Sequence, residues 1–306
     1  MPERDLIGYG ATPPRVRWPG DARVAISLVV NYEEGSENLL QDGIGRREMM
    51  GEGMSPVPPD QRDLANESFF EYGSRAGVWR LLRIFKKHDV RATFFACAVA
   101  LERNPSVGPA ITAAGHDVLG HGNRWEEYYL MDREAERQAI REGYAAIERL
   151  TGQAPAGWYC RYGPSENSRD LVVEHGGFLY DSNSYADDLP YYTTVQTPTG
   201  PRPWLVVPYS LTVNDSKIWR GSLAHGEDFY QSMKETFDTL YEEGAETPRM
   251  MSVGLHCRIA GQPGRANGLD RFIAYAKSHQ NVWFAGRAEI ARTWLQQFPP
   301  TPTFAP

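Results

Sequence analysis

Short apolar runs alternate along the chain with longer stretches in which apolar residues recur every three or four positions. The runs lie at Val24 to Val30, Ala92 to Ala96, Asp117 to Gly120, Gly157 to Tyr159, Phe178 to Tyr180, Leu205 to Pro208, Met250 to Leu255 and Val282 to Phe284. Near-continuous hydrophobicity over four to eight residues predicts strands buried on both faces. Between them, Val78, Leu81, Leu82 and Phe85 predict a helix beginning near Ser74, and Ile140, Tyr144, Ile147 and Leu150 mark the buried side of a helix over 132–150. Further helices are expected at 105–114, 168–175 (capped by Asn167 and ended by Gly176), 227–243, 268–278 and 287–298. Strand and helix alternate throughout, which predicts a parallel barrel of about seven or eight units in a single domain spanning 1–306. Three segments stand outside the pattern. Residues 1–22 read as an arm wrapping the first strand, and 182–203 as a polar and aromatic loop. Residues 35–68, rich in Gly, Pro and charge, are too long for a structureless connection, so they are expected to fold over a pocket or into a subunit contact.

Polar residues collect at the predicted carboxyl ends of these strands: Glu33 and Glu34 after the first, His121 after the third, Arg161 after the fourth, Asp181 after the fifth and His256 after the seventh. In a parallel α/β fold these ends converge on one mouth, where ligands bind. Neighbouring residues on a strand face apart, so a local bend is needed to bring Glu33 and Glu34 into one site. Taken singly, each residue has a structural explanation: a solvated turn, a capping carboxylate, an ion pair. Taken together they suit hydrolysis of an amide. A carboxylate takes a proton from water, a histidine protonates the leaving nitrogen, and cationic donors hold the oxyanion. The other histidines, His88, His116, His175, His225 and His279, fall in helices, helix ends or loops, and most are expected at the surface.

Composition narrows the classes. Of the 306 residues, 41% are hydrophobic and 23% charged, as in a soluble globular protein. A net charge of −7 argues against nucleic acid or an anionic membrane as partner. No apolar run approaches the roughly 18 residues of a spanning helix. The start, Met-Pro-Glu-Arg-Asp, lacks the regions of an export signal, so a cytoplasmic enzyme is expected. Cys97, Cys160 and Cys257 form neither a disulfide framework nor a metal spacing. There is no phosphate-binding loop, dinucleotide fingerprint or Gly-x-Ser-x-Gly elbow. Cys257 and His256 are adjacent on a strand and face apart, so they are not read as a nucleophile and base.

Several motifs resemble the polysaccharide deacetylase superfamily: Glu33-Glu34 after strand one, His121-Gly-Asn-Arg-Trp125 where the family has His-x-x-x-His, Arg161-Tyr-Gly-Pro164, and Gly254-Leu-His256. The resemblance covers nearly the whole chain and implies a distorted parallel (β/α) barrel of about seven strands. It also implies that the first acid is the base, that the second acid and both histidines hold a divalent metal, and that the late histidine is the acid. Two metal positions depart: Glu34 stands where Asp is usual and Trp125 where the second histidine belongs. Tryptophan cannot ligate zinc. Longer strings, Asp5-Leu-Ile-Gly-Tyr-Gly10, Asn31-Tyr-Glu-Glu-Gly35, Glu71-Tyr-Gly-Ser-Arg-Ala-Gly-Val-Trp79, Gly157-Trp-Tyr159, Asp187-Asp-Leu-Pro190 and Gly254-Leu-His-Cys-Arg258, look like the metal-independent allantoinase branch, whose members open the hydantoin ring of allantoin and assemble as homotetramers. The segments 160–167 and 214–220 differ from that branch, which leaves the identity of the cyclic amide or imide open.

The resulting expectation is an allantoinase-like amidohydrolase without cofactor, a homo-oligomer acting on a small cyclic amide. Glu33 is the base, more useful if partial burial lifts its pKa toward the working pH, and His256 is the acid. Glu34, His121, Trp125, Arg161, Asp181 and Arg258 bind substrate. One alternative is a deacetylase of an N-acetyl sugar or small N-acyl compound with zinc held in an unusual way. Another is a non-enzymatic member that binds a ligand or only assembles.

Overall fold

In the computed structural model, residues 4–51, 55–219 and 221–300 are described. Residues 1–3 of the arm, 52–54 of the 35–68 segment, Arg220 and the last six residues of the expected domain lie outside them. The central strand β1 (Val24–Tyr32) is buried along all nine residues. Covered on both faces, it pairs in parallel with β2 (Ala92–Ala96), β8 (Arg249–His256) and β9 (Val282–Phe284). The sheet continues through β3 (Asp117–Gly120), β4 (Gly157–Trp158), β5 (Tyr180–Asp181) and β7 (Gly200–Val206) to β6 (Tyr191–Thr197). Every pairing is parallel except β6 with β7. The sheet curls into the expected barrel but does not close, because β8 and β6 are its two ends.

The helices pack outside: α1 (Leu64–Tyr72), α2 (Val78–His88), α3 (Ala98–Arg103), α4 (Val107–Ala113), α5 (Arg133–Thr151), α6 (Ser168–His175), α7 (Ser216–Trp219), α8 (Gly226–Glu243), α9 (Pro263–Lys277) and α10 (Arg287–Gln297). Several match the periodicity within a residue or two. The α1 helix does not, since it begins where a loop was expected. Asp63 caps it by accepting from Asn66 N at 3.0 Å, and a π-turn over Gly73–Gly77 joins it to α2. Glycine is required there because a Cβ on Gly77 would strike the Cys257 carbonyl and one on Gly73 the Glu34 carboxylate. The expected 105–114 helix is α4, and α3, just before it, was not expected. Asn167 leads α6 without a side-chain cap bond.

The 182–203 segment is largely a hairpin. Tyr191–Thr197 runs antiparallel to Gly200–Val206, turning between Thr197 and Gly200. Pro201 and Pro203 argue against a strand, but β5 pairs only with Leu205 and Val206, so the prolines lie in a two-stranded extension that needs fewer donors. Inside the barrel, Phe95, Tyr159 and Tyr209 pack with centroids 5.1–5.3 Å apart. Beneath them the buried Arg287 donates to the carbonyls of Val207 and Pro208, both at 2.6 Å, and to Ser252 Oγ at 2.9 Å. None of the described helices is long and apolar enough to cross a membrane.

Candidate active site

The register that pairs Asn31 with His256 brings the ends of β1 and β8 to the same level. Glu33, two residues further on, therefore enters the mouth beside His256. The Glu33 carboxylate is 1% exposed. Its Oε1 lies 3.1 Å from His121 Nε2 and 3.7 Å from His256 Nε2, and its Oε2 lies 2.8 Å from Arg258 Nη1. Burial pushes its pKa up, but Arg258, His256 and His121 outweigh burial and hold it far below the usual carboxylate range. Burial therefore does not lift it toward neutrality, because three cationic or hydrogen-bonding partners surround this one carboxylate.

Glu34 takes the opposite face, as strand alternation requires, and no bend returns it to the cavity. It accepts from the backbone N of Arg258 at 3.1 Å, lies against Gly73, and has Arg258 Nη1 3.5 Å from its Oε1. Burial, with Glu33 adjacent, raises its pKa against the pull of Arg258. Arg258 sits behind the two carboxylates as their shared counter-charge, its guanidinium 4.2 Å from the Phe70 ring centroid. Asp181 is also outside the cavity. Fully buried, it accepts from Arg169 Nε and Trp204 Nε1, each at 2.8 Å, and so ties α6 to β7.

Five of the residues singled out from sequence line one cavity of about 260 Å3: Glu33, His121, Trp125, Arg161 and His256. Met50, from the 35–68 segment, forms part of its wall, and Glu48 of the same segment holds Arg161 through two contacts of 2.8 Å. That segment therefore folds over the pocket. His121 Nδ1 lies 2.8 Å from the Tyr159 carbonyl, which can only accept. His121 Nδ1 therefore donates to that carbonyl, and its Nε2 faces Glu33 Oε1 at 3.1 Å. The Trp125 ring lies between two cations, with the Arg161 guanidinium 3.8 Å and that of Arg258 5.2 Å from its centroid.

His256 has a partner that sequence reasoning missed. Asp215 Oδ1 lies 2.6 Å from His256 Nδ1, while its Oδ2 accepts from the backbone N of His256 at 2.7 Å and of Ala260 at 3.0 Å. Burial lowers the His256 pKa, but Asp215 and Glu33 outweigh it and raise the value above that of free histidine. This dyad fixes the tautomer, leaving Nε2 toward Glu33. Asp215 stands in a loop whose position depends on the distant pairing of Asn214 with Gly254, and its one local signal was the Asn-Asp pair inside 214–220. Of the remaining histidines, His116 is buried and accepts from Ala92 N at 3.2 Å, its pKa pushed down to about 4 by burial.

These residues do not make a metal centre. Trp125 offers no ligand, Glu34 faces away, and His121 Nε2 is turned to Glu33 Oε1 at 3.1 Å. Among the described residues no group of three or more His, Cys, Asp or Glu side chains converges to hold a metal ion. The positive charge beside the two carboxylates comes from Arg258.

Residues 67–178, which include His121, Trp125 and Arg161, match the polysaccharide deacetylase family model. A Schizosaccharomyces pombe protein classed with the polysaccharide deacetylases is 40% identical over 97% of this chain and 98% of its own length. The chain belongs to the polysaccharide deacetylase family. Two solved members of similar structure are a probable polysaccharide deacetylase from Pseudomonas aeruginosa PAO1 and PuuE allantoinase. Each is 48% identical, with a TM-score of 0.92 over 97% of this chain and 99% of its own. This family of hydrolases thus includes, near the present chain, a member that bears the name of an amidohydrolase.

Proposed function

We propose that the protein opens a small cyclic amide, a hydantoin-type ring such as allantoin, to the ring-opened acid without using a metal. The observation that carries this reading is Trp125 between Arg161 and Arg258 at the family's metal position, with Arg258 neutralising Glu33 and Glu34. The 48% identity to PuuE allantoinase supports the same substrate class. The cavity also favours it: about 260 Å3 is below the roughly 300–1,000 Å3 of clefts for drug-sized ligands, which suits one small ring better than a sugar polymer.

In this reading water attacks the ring carbonyl carbon. Glu33 takes its proton as the new C–O bond forms, and the carbonyl electrons move onto oxygen. Glu33 is a weak base because its pKa is low, so its contribution rests on position, its carboxylate held between His121, His256 and Arg258. The C–N bond then breaks, its electron pair stays on nitrogen, and His256 Nε2 delivers the proton that makes this nitrogen a neutral leaving group. Asp215 holds the imidazolium that His256 must be before that step. Arg161, His121 and Trp125 form the polar and aromatic wall against which the ring sits.

The experiment is a turnover screen of allantoin, hydantoin, cyclic imides and N-acetylglucosamine oligomers, with and without chelator. Glu33→Gln and His256→Ala serve as controls, each expected to lower kcat by roughly 10²-fold or more. Chelator-resistant turnover of a ring amide is the expected result. Turnover of N-acetyl sugars alone, abolished by chelator and restored by zinc, would replace this reading with the deacetylase one.

A further inference from the structure

Tyr209 lines the same cavity as Glu33 and His256, together with Asn31 and Asn214. Two amide nitrogens approach its hydroxyl oxygen: Asn31 Nδ2 at 3.1 Å and Asn214 Nδ2 at 3.2 Å. Neither amide is free to be reversed. Asn31 Nδ2 also donates to the Leu255 carbonyl at 3.1 Å, and Asn214 Oδ1 accepts from Ser216 N at 2.9 Å. The atom facing Tyr209 is therefore a donor in both cases. A phenol oxygen has one proton and can accept through its lone pairs. Here its accepting capacity is taken by the two asparagines, so its own proton must point elsewhere.

Among the described residues Tyr209 donates to no protein atom. The ring is 4% exposed, and burial raises the phenol pKa, so the proton is retained. The direction left for it is the cavity. Arg287 fixes the hydroxyl's position from below: it holds the carbonyls of Val207 and Pro208, the two residues preceding Tyr209, and lies 5.9 Å from the Tyr209 ring centroid. Its positive charge opposes the effect of burial on the phenol and so strengthens the donor.

We propose that Tyr209 donates the hydrogen bond that holds the reacting carbonyl oxygen, with Asn31 and Asn214 as positioning residues that turn its proton into the cavity. This inference rests on the ring-opening reading. When water bonds to the carbonyl carbon, the C=O electron pair moves onto oxygen. The hydrogen bond from Tyr209 then becomes charge-assisted and strengthens, and the proton stays on Tyr209.

The test is Tyr209→Phe, which keeps the ring against Phe95 and Tyr159 and removes the donor. On the ring amide that wild type turns over, kcat is expected to fall roughly 10²- to 10³-fold, as for loss of an oxyanion donor, with KM changed by less than about threefold. Retention of more than half the wild-type kcat would overturn the proposal while leaving the ring-opening reading intact. Phenylalanine deprives two asparagine amides of an acceptor. If that variant does not fold, 3-fluorotyrosine at position 209 keeps the hydroxyl and makes it more acidic. The stronger donor should then raise kcat on the pH plateau with KM changed by less than about threefold, and a kcat no higher than wild type would refute the role. If wild type turns over no ring amide, the reaction reading fails. Calorimetric binding of hydantoin then decides the donor: binding at least tenfold weaker to Tyr209→Phe supports it, whereas equal affinity, or no binding to either protein, overturns it.

Discussion

Replacing Arg258 by Met removes the only cation within 4 Å of either Glu33 or Glu34 among Lys and Arg side chains of the described residues. The unbranched methionine retains much of the apolar stem that lies over Phe70. Two adjacent carboxylates, 1% and 2% exposed, are then left facing each other's charge. Removing one partner of a buried pair costs about 3–5 kcal/mol, and the lost cation–π contact adds about 0.5–2 kcal/mol. Against a total stability of about 5–15 kcal/mol this is a large fraction. The pH dependence has a definite sign. In wild type, the depressed pKa of Glu33 contributes stability that is present above its unfolded value of about 4.3 and lost as pH falls through the folded value. Without Arg258 that contribution disappears and the already raised Glu34 rises further, so the variant loses stability as pH rises above about 4. Urea unfolding, followed by circular dichroism and tryptophan fluorescence at pH 7 and pH 4, should show a deficit of about 3.5–7 kcal/mol at pH 7 that narrows at pH 4. Adding Glu34→Gln should recover part of it. A deficit below about 1 kcal/mol at pH 7, or one that widens toward pH 4, would refute the counter-charge argument.

Catalysis should carry its own pH signature. Because Asp215 and Glu33 raise the His256 pKa, the acid is competent below that folded value and lost above it, so kcat should fall only on the alkaline side of the ordinary histidine range of about 6.5. Glu33 stays ionised well into acid, so no limb should appear near the usual carboxylate value of about 4.3, and an acid limb at or above that value would contradict the assignment. For the assembly, light scattering should give a multiple of the 34.5 kDa chain mass, and a stable monomer at micromolar concentration would remove that expectation.

The apolar runs carried most of the barrel, because a strand covered on both faces has little choice of residue. Glu33, His121, Arg161 and His256 were legible for the same reason: each follows such a run, and the strand ends of a parallel sheet gather at one mouth. What escaped depends on contacts distant in sequence. Asp215 reaches His256 only because Asn214 pairs with Gly254 forty residues later. Glu34 and Arg258 were read as substrate contacts, yet alternation along the strand turns Glu34 toward Gly73, and Arg258 fills the space between the two acids. Asp181 ends its strand as expected, but Arg169 and Trp204 claim both its oxygens. The β6–β7 hairpin was obscured by Pro201 and Pro203, whose cost is small where only two strands pair. The α1 helix escaped because its first residues, 64–68, belong to the segment whose Gly, Pro and charge read as loop.

The central claim is that Arg258 and the Trp125 wall replace the metal in cleaving a ring amide. Its most direct test is the initial rate of allantoin and hydantoin opening by protein dialysed against chelator, with metal content measured on the same sample. The account predicts undiminished turnover at far less than one zinc per chain, with Glu33→Gln lowering kcat roughly 10²-fold. Loss of activity on chelation, with recovery at one zinc per chain, would contradict it.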